Sequence, residues 1–328
     1  MKILVTGCAG FIGYHLTVKL SLNKKFKIYG IDNLNKNYDF NLKKNRLSRL
    51  KKLNNFKFFK IDISNQNKLL NNFKKYKYEI VINLAAQAGV RDSISKPNQY
   101  FKNNISGFYN VLFCSSYIKI KHLIYASSSS VYGNGKTPSK ENQNTDKPQS
   151  FYAASKKTNE LLAYSFSNIY KLPSTGLRFF TVYGPLGRPD MALFLFTKAI
   201  LENKKINIYN KGNHSRDFTF IDDVINVILK ILTKPPKNKV PHEVYNIGSN
   251  NPVNLHEFIT LIEKHTQKKS KKVYDKFQIG DVKNTHADIT LLLKKIKVYK
   301  KTPLSKGIKE FVNWYLNFYK LTKWKIKN

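Results

Sequence analysis

The stretch KILVTGCAGFIGYHL, residues 2–16, decides the fold. Its first five residues are mostly apolar or β-branched and predict a buried strand, whereas residues 10–22 carry apolar side chains at helical spacing. Glycines spaced by three stand at the junction: Gly7, Gly10 and Gly13. Glycine allows the tight turn by which a strand passes directly into a helix, so this stretch predicts the first strand and crossover helix of a parallel sheet.

The same alternation continues through the first half of the chain. Further apolar runs predict strands at residues 27–32, 56–62, 80–85 and 122–127. Because helical segments separate these runs, the sequence predicts an α/β fold with a doubly wound parallel sheet, the Rossmann arrangement, over residues 1–180. Beyond that point Gly and Pro interrupt the pattern, and we expect a smaller C-terminal α/β substrate domain over residues 181–328, with some segments returning to the first domain. The charged residues 35–55 predict a surface helix that bears no chemistry.

The glycine-rich turn predicts a dinucleotide site, since it brings the amides of a helix N-terminus close to a pyrophosphate. Asp32 ends the second predicted strand 19 residues after Gly13, where its carboxylate would accept bonds from ribose hydroxyls. This favours NAD over NADP, although Lys36 nearby leaves NADP open, and an ordinary set of turn glycines is the alternative. Asp62 is as consistent with a cap for the Ser64 region as with a ligand. The predicted cofactor contacts are Gly7, Gly10, Phe11, Ile12, Gly13, Asp32, Asp62, Ile63, Ala85, Gln87, Tyr152 and Lys156.

Tyr152 and Lys156 stand four residues apart at the head of a predicted helix, so their side chains share one face. A lysine ammonium near a phenol lowers the pKa of the tyrosine, which makes Tyr152 a candidate general base, and the same lysine can hold a nicotinamide ribose. The pair alone would arise by chance in a chain with 20 tyrosines and this much lysine. The serine run 127–130 ends the preceding strand and offers a hydroxyl to share the proton, although such a run is also consistent with a plain turn.

Several motifs together resemble the extended short-chain dehydrogenase/reductase family of nucleotide-sugar epimerases and dehydratases, over residues 2 to about 320. They are TGCAGFIG at 6–13, SSSSVYG at 127–133, YAASK at 152–156 and RFFTVYGP at 178–185. Two further strings resemble those of the UDP-glucuronate 4-epimerases within that family: LAAQAGVR at 84–91 and GRPDMA at 187–192. The sequence departs from these relatives at Asn83, where a histidine is more frequent, and at Asp92, where a tyrosine is usual.

The resemblance implies a reaction by transient oxidation of the sugar at C4. Dehydratases of the family carry an acidic pair before Val-Tyr-Gly and the related decarboxylases a glutamate, whereas this chain has Ser129 and Ser130 there. Without a carboxylate to drive elimination, epimerisation remains. The resemblance assigns proton sharing to Ser128, with Ser127 and Ser129 left open. It implies that Tyr152 takes the 4-hydroxyl proton as hydride passes to NAD, that the keto-sugar rotates, and that hydride returns to the opposite face.

The resemblance also implies how the substrate is held. Arg188 and Thr181 are candidates for restraining the carboxylate of a uronate, and Arg216 for the diphosphate. The predicted substrate contacts are Gln87, Arg91, Ser128, Ser129, Thr181, Arg188 and Arg216. Arg178 lines the predicted cleft with a less defined role, and it or Arg188 could instead form a structural ion pair. The expected reaction converts UDP-glucuronate to UDP-galacturonate; a neutral UDP-hexose such as UDP-glucose or UDP-N-acetylglucosamine is the alternative substrate.

The composition bears on the partners. The net charge of +38 raises a non-catalytic nucleotide- or RNA-binding protein as a rival, but the six arginines leave 52 of the 58 basic residues as lysines spread over the whole length. Three of those arginines, Arg91, Arg178 and Arg188, fall within the motifs above, and a fourth, Arg216, is the candidate for the diphosphate. We therefore expect no nucleic acid and, without a long apolar run or a signal peptide, no membrane and a cytoplasmic location. Two scattered cysteines predict neither a disulfide nor a metal site. The resemblance implies a homodimer through helices at about 100–116 and 152–170.

Overall fold

The computed structural model describes residues 1–35, 39–276 and 282–319. The strands are β1 Lys2–Thr6, β2 Lys27–Asp32, β3 Phe56–Lys60, β4 Ile80–Asn83, β5 His122–Ser128, β6 Ser174–Phe179, β7 Thr181–Tyr183, β8 Lys205–Tyr209, β9 Ser215–Phe220, β10 His242–Ile247, β11 Pro252–Asn254 and β12 Lys271–Asp275. The helices are α1 Phe11–Ser21, α2 Phe40–Leu50, α3 Gln66–Tyr76, α4 Val90–Ser95, α5 Pro97–Tyr100, α6 Gly107–Tyr117, α7 Phe151–Tyr170, α8 Ala192–Leu201, α9 Ile221–Leu232, α10 Leu255–Thr266, α11 Thr290–Ile296 and α12 Leu304–Phe318.

The main sheet has seven strands in the order β10-β6-β5-β4-β1-β2-β3, and every pairing in it is parallel. The strand order reverses between β1 and β4, so a crevice opens at the carboxyl ends of these two strands, where open α/β sheets bind their ligands. The predicted doubly wound sheet is confirmed. The predicted strand ends at residues 62 and 85 were wrong by two residues each, because the ladders stop at Lys60 and Asn83.

Helices cover both faces of this sheet because successive residues of its strands point to opposite sides. Ile3 and Val5 belong to a core cluster that includes residues of α1, α2 and α9. Leu4, which lies between them, belongs to a second cluster with residues of α3 and α6. Burying one such side chain stabilises the fold by about 1.5–3 kcal/mol, so the two layers fix the loops at the carboxyl ends of the strands.

The remaining strands of the C-terminal half form two small sheets, and a separate substrate domain over residues 181–328 remains a prediction. β7, β9 and β11 make a three-stranded sheet, and β8 pairs with β12. The rings of Phe218 and Phe258 stack with centroids 4.2 Å apart between β9 and α10. β10 joins the main sheet next to β6.

Along the described ranges of the chain, no helix has both the length and the apolarity needed to cross a membrane.

The charged segment 35–55 contains the predicted helix, α2. Its helix α2 is capped by Asp39, whose carboxylate accepts the amide of Asn41 at 2.9 Å. Lys44, Ser48 and Arg49 are exposed on one face of α2, as the prediction of a surface helix requires. The opposite face is buried, and the full burial of Arg46 on it was not predicted. Lys36 lies outside the described residues.

Candidate active site

The glycine-rich turn between β1 and α1 forms a close-fitting cradle. Gly7 has φ +68°, and a Cβ on it would lie 2.7 Å from the amide nitrogen of Ala85. A Cβ on Gly13 would overlap the carbonyl oxygen of Gly7. Gly10, the N-cap of α1, provides no side-chain cap, so the amides of the first turn are left for another acceptor. The cradle therefore fits a pyrophosphate, which needs both the space and the donors.

Asp32 lies at the carboxyl end of β2 and is buried. Its Oδ2 accepts the amide of Ala9 at 3.1 Å, and its Oδ1 accepts the amide of Leu34 at 2.8 Å. Lys43 on α2 places its Nζ 3.9 Å from Oδ1. The carboxylate is thus attached to the glycine-rich turn and lies beside the cradle, where an adenosine ribose of a dinucleotide would be held.

Asp62 has the structural contacts of the alternative interpretation. It accepts the amide and hydroxyl of Ser64 at 2.9 and 2.8 Å, and the amide group of Asn33 at 3.0 Å. Burial opposes the charged form, but these hydrogen bonds outweigh it and hold the pKa of Asp62 below its usual value. The adjacent Ile63 is buried, and its carbonyl accepts Asn110 Nδ2 at 2.9 Å. Cofactor contacts of Asp62 and Ile63 remain predictions.

Helix α7 presents Tyr152 and Lys156 on one face, as the spacing predicts. Ser150 caps the helix by accepting the amide of Ala153 at 3.1 Å, which sets the tyrosine in the first turn. Lys156 is buried, and its Nζ donates to the carbonyl of Ala126 at 2.8 Å and lies 6.0 Å from the centre of the Tyr152 ring. The two side chains are therefore brought together at the carboxyl end of β5.

The pKa values at this pair have separate causes. Burial lowers the pKa of Lys156 to about 8, opposed by the charge of Glu160 on the next turn. Burial raises the pKa of Tyr152, and the opposing contributions come from a hydrogen bond with Ser128 and the charge of Arg188. The expectation that the lysine lowers the pKa of Tyr152 finds no support here, because the ammonium is turned toward Ala126.

The structure distinguishes the serines at the end of β5. Ser127 is buried, and its hydroxyl donates to Oε1 of Glu160 at 2.6 Å, so it is engaged behind the site. Ser128 lies against Tyr152, and its hydroxyl donates to that of Ser130 at 3.2 Å. Ser129 begins the 3₁₀ turn that follows β5. The hydroxyl beside the phenol is therefore that of Ser128.

A buried ion pair between Arg178 and Glu160 lies next to Ser127. Nε and Nη2 of Arg178 each donate to a carboxylate oxygen of Glu160 at 2.8 Å, and the guanidinium lies 4.8 Å from the ring centre of Tyr132. The ion-pair alternative for Arg178 is thus the correct one, and its placement in the cleft was wrong. Glu160 was not predicted from the sequence, although its position four residues after Lys156 on the same helix face was a usable signal.

Two of the candidate substrate residues line one cavity. Thr181 and Arg188 line a cavity of about 30 Å³ together with Phe11 and residues of β7 and α8. Nε of Arg188 donates to Asp190 at 3.0 Å, and Nη2 donates to the carbonyl of Ala88 at 3.2 Å. The structure therefore shows the Arg188 ion pair with Asp190, and the clamp on a sugar carboxylate remains a prediction.

The remaining candidate substrate residues are Gln87, Arg91 and Arg216, and each has its own contacts within the protein. Gln87 is buried, and its backbone N–H donates to Asn104 Oδ1 at 2.7 Å. The guanidinium of Arg91 lies 5.2 Å from the ring centre of Tyr209. Arg216 Nη1 donates to the carbonyls of residues 215 and 283 at 3.0 Å each. Binding of a substrate by these three side chains remains a prediction. In the described part of the chain no group of His, Cys, Asp or Glu could hold a metal ion.

Comparison with known proteins places this site in a family. Residues 3–248 match the sequence model of the NAD dependent epimerase/dehydratase family. Protein CapI of Staphylococcus aureus is 48% identical, with 98% of this chain and 100% of that protein covered. The UDP-glucuronate 4-epimerase of Thermodesulfobacterium geofontis is 42% identical over 95% of each chain.

A solved structure extends the likeness to three dimensions. The UDP-glucuronic acid 4-epimerase from Bacillus cereus, in complex with UDP-glucuronic acid and NAD, superposes with a TM-score of 0.92 at 34% identity, with 97% of this chain and 100% of that chain covered. The chain therefore belongs to the NAD dependent epimerase/dehydratase family, whose cofactor is NAD.

Proposed function

We propose that this protein is an NAD-dependent 4-epimerase that interconverts UDP-glucuronate and UDP-galacturonate. The observation that carries the proposal is the placement of Arg188: it lines the same cavity as Thr181, and its Nη2 donates to the carbonyl of Ala88 at 3.2 Å. A guanidinium at this cavity suits a sugar with a carboxylate next to the reacting carbon. The similar proteins named UDP-glucuronate 4-epimerase support this choice.

Tyr152 and Ser128 together transfer the proton of the 4-hydroxyl. Tyr152 accepts the proton of the 4-hydroxyl and later returns it, and Ser128 shares that proton because the two hydroxyls lie side by side. Lys156 lies one turn behind the phenol, where it holds the nicotinamide ribose. NAD held at the glycine-rich turn and Asp32 would supply a reversible acceptor for the C4 hydride. Tyr152 serves both epimers because it exchanges the same proton in each direction.

Arg188, Ser129 and Ser130 determine the fate of the 4-keto sugar intermediate. The carboxylate of this intermediate is β to the C4 ketone, so it tends to leave as carbon dioxide unless it is restrained. Arg188 offers a planar fork for the carboxylate, in competition with Asp190, which holds that fork in the structure. Ser129 and Ser130 supply no carboxylate for elimination, which leaves rotation and hydride return.

The test compares three substrates on purified protein: UDP-glucuronate, UDP-glucose and UDP-N-acetylglucosamine. Product formation is followed by anion-exchange chromatography and by NMR of the sugar at C4. We expect conversion of the uronate with a kcat/KM at least tenfold above that for either neutral sugar. A marked preference for a neutral sugar would overturn the substrate assignment. Steeply salt-dependent RNA binding without any turnover would overturn the enzymatic assignment itself.

We also propose a homodimer through the outer faces of α6 and α7. Large apolar side chains are exposed on these faces: Tyr109, Tyr117, Leu161, Tyr164, Ile169 and Tyr170. The two helices share one continuous apolar surface, since the ring of Phe166 contacts both Tyr109 and Tyr170. A second copy can cover such a surface by placing the same faces together about a two-fold axis.

Light scattering coupled to gel filtration tests the dimer. Leu161→Glu places a charge on the shared surface and should give a monomer, whereas Lys198→Glu, on an exposed position of α8, should leave the dimer intact. A wild-type monomer at micromolar concentration would refute this proposal.

We propose in addition that the enzyme acts in the cytoplasm and supplies UDP-galacturonate for a surface polysaccharide that contains uronic acid. Both cysteines, Cys8 and Cys114, are buried as free thiols, which agrees with a reducing compartment. Loss of galacturonate from surface glycans in a deletion strain would support the role, and unchanged glycans would contradict it.

A further inference from the structure

The loop that leads to Arg188 is fastened to the cofactor domain by side chains. The carbonyls of residues 185–187 all accept hydrogen bonds from that domain. His15 on α1 places its Nε2 2.9 Å from the carbonyl of Pro185. Nη2 of Arg46 on α2 donates to the next two carbonyls at 2.6 and 3.2 Å. The backbone is thus fixed at three successive residues immediately before Arg188.

Arg46 also contacts the glycine-rich turn. Its Nη1 donates to the carbonyl of Ala9 at 3.2 Å, and the amide of Ala9 donates to Asp32 Oδ2 at 3.1 Å. The Arg46 side chain is fully buried, so these contacts are shielded from water. One guanidinium therefore joins the cradle for the cofactor to the loop that carries the candidate carboxylate clamp.

The backbone of this loop needs such support. Gly184 has φ +147° and Leu186 has φ +55°, a left-handed conformation that is uncommon for leucine. Conformations of this kind persist where the surroundings hold them. The Arg46 bond to Leu186 is made at that residue, so it stabilises the turn that aims Arg188 at the crevice.

His15 adds a second attachment from another helix. A carbonyl only accepts, so its bond with Pro185 requires the proton on Nε2 of His15. Burial lowers the pKa of His15 to about 4, so the ring is neutral at physiological pH. This attachment therefore does not depend on a charge that titrates near neutrality.

We propose that Arg46 is a positioning residue that sets the register between the cofactor cradle and the Arg188 loop. The inference rests on the proposed function, because it takes Arg188 as the group that restrains the sugar carboxylate. A fixed register keeps C4 opposite the nicotinamide while the carboxylate is held. A misplacement of about 1 Å costs on the order of a hundredfold in rate, so a slack loop lowers turnover and releases carbon dioxide from the keto-acid.

Arg46→Lys is the main test, because lysine keeps the charge but cannot donate to both loops with one planar fork. The matched control is Arg49→Lys, an exposed arginine on the same helix. We expect Arg46→Lys to lower kcat/KM for UDP-glucuronate by about ten- to a hundredfold and to raise the fraction of decarboxylated UDP-pentose product. Arg49→Lys should match the wild type in both measurements.

A double-mutant cycle shows whether Arg46 acts through Arg188. In an Arg188→Met background, Arg46→Lys should change kcat/KM by less than about threefold, since the clamp that it positions is already lost. An effect of full size in that background would overturn the inference. So would an Arg46→Lys protein with wild-type kcat, KM and product ratio and only a lower melting temperature.

Two further arms keep the outcomes distinct. His15→Gln weakens the attachment from α1 and should raise the decarboxylated fraction in the same direction, even if the Arg46 variants fail to fold; an unchanged fraction would overturn the inference. A wild-type protein inactive on UDP-glucuronate would overturn the proposed function and the clamp together. An active wild type with an indistinguishable Arg46→Lys would overturn only the role of Arg46.

Discussion

Glu160→Gln removes one charge from the buried ion pair behind Lys156. Both partners of the pair are nearly inaccessible, with side-chain exposures of 5% for Arg178 and 7% for Glu160. Glutamine keeps an oxygen for the Ser127 hydroxyl but leaves the Arg178 guanidinium without its counter-charge. Breaking a buried pair from one side costs about 3–5 kcal/mol. At about 2–3 °C per kcal/mol, we expect the melting temperature to fall by roughly 6–15 °C.

The same substitution changes the pH dependence of turnover. The charge of Glu160 raises the pKa of Lys156, which burial has lowered to about 8. The Lys156 ammonium is present below that pKa and is lost as the pH rises through it, so turnover should fall on the alkaline side. Without Glu160 the pKa of Lys156 drops further, and the fall should begin at lower pH than in the wild type.

Thermal unfolding by circular dichroism and kcat measured from pH 6 to 9 check both parts. Adding Arg178→Met to Glu160→Gln removes the stranded charge and should restore at least half of the lost stability. The reasoning is refuted if Glu160→Gln unfolds within about 1 kcal/mol of the wild type, or if its alkaline limb moves to higher pH.

Four other substitutions test the site directly. Tyr152→Phe removes the proton acceptor and should lower kcat by about 10²–10⁴-fold, measured by product formation; an undiminished rate would end the proposed mechanism. Ser128→Ala should lower kcat, whereas Ser127→Ala should mainly lower the melting temperature because that hydroxyl binds Glu160; equal kinetic losses would contradict this division. Gly13→Ala forces a Cβ onto the Gly7 carbonyl and should abolish NAD retention measured by absorbance, and a variant that retains stoichiometric NAD would count against the cradle.

Local signals made the sheet and the cradle predictable. Residues 2–13 contain a buried strand, a glycine turn and a helix start in immediate succession, and each of these depends on neighbours in the chain. The Tyr152–Lys156 pair was equally predictable from the sequence, since residues four apart lie on one helix face. Strand ends were less accurate, because a ladder stops where its partner stops and that partner is distant in sequence.

Contacts over long sequence separations were missed for a physical reason. The acceptors of Arg46 on Leu186 and Gly187 are backbone carbonyls 140 and 141 residues away. A carbonyl is present at every residue, so it leaves no mark in a sequence pattern. The charge of α2 then predicted exposure, although a long arginine can bury its whole length where acceptors are provided.

Three buried or half-buried arginines each hold several hydrogen-bond acceptors. Arg178 binds two carboxylate oxygens, Arg46 three carbonyls, and Arg188 both Asp190 and the Ala88 carbonyl. Each of these guanidiniums holds several acceptors in fixed directions, which a single ammonium on a flexible stem does not reproduce. Among 58 basic residues, of which six are arginines, the planar fork therefore indicates where geometry rather than charge is needed. On this argument Arg46 belongs with Arg188 as a residue that orients the site, although it lies outside every recognisable motif.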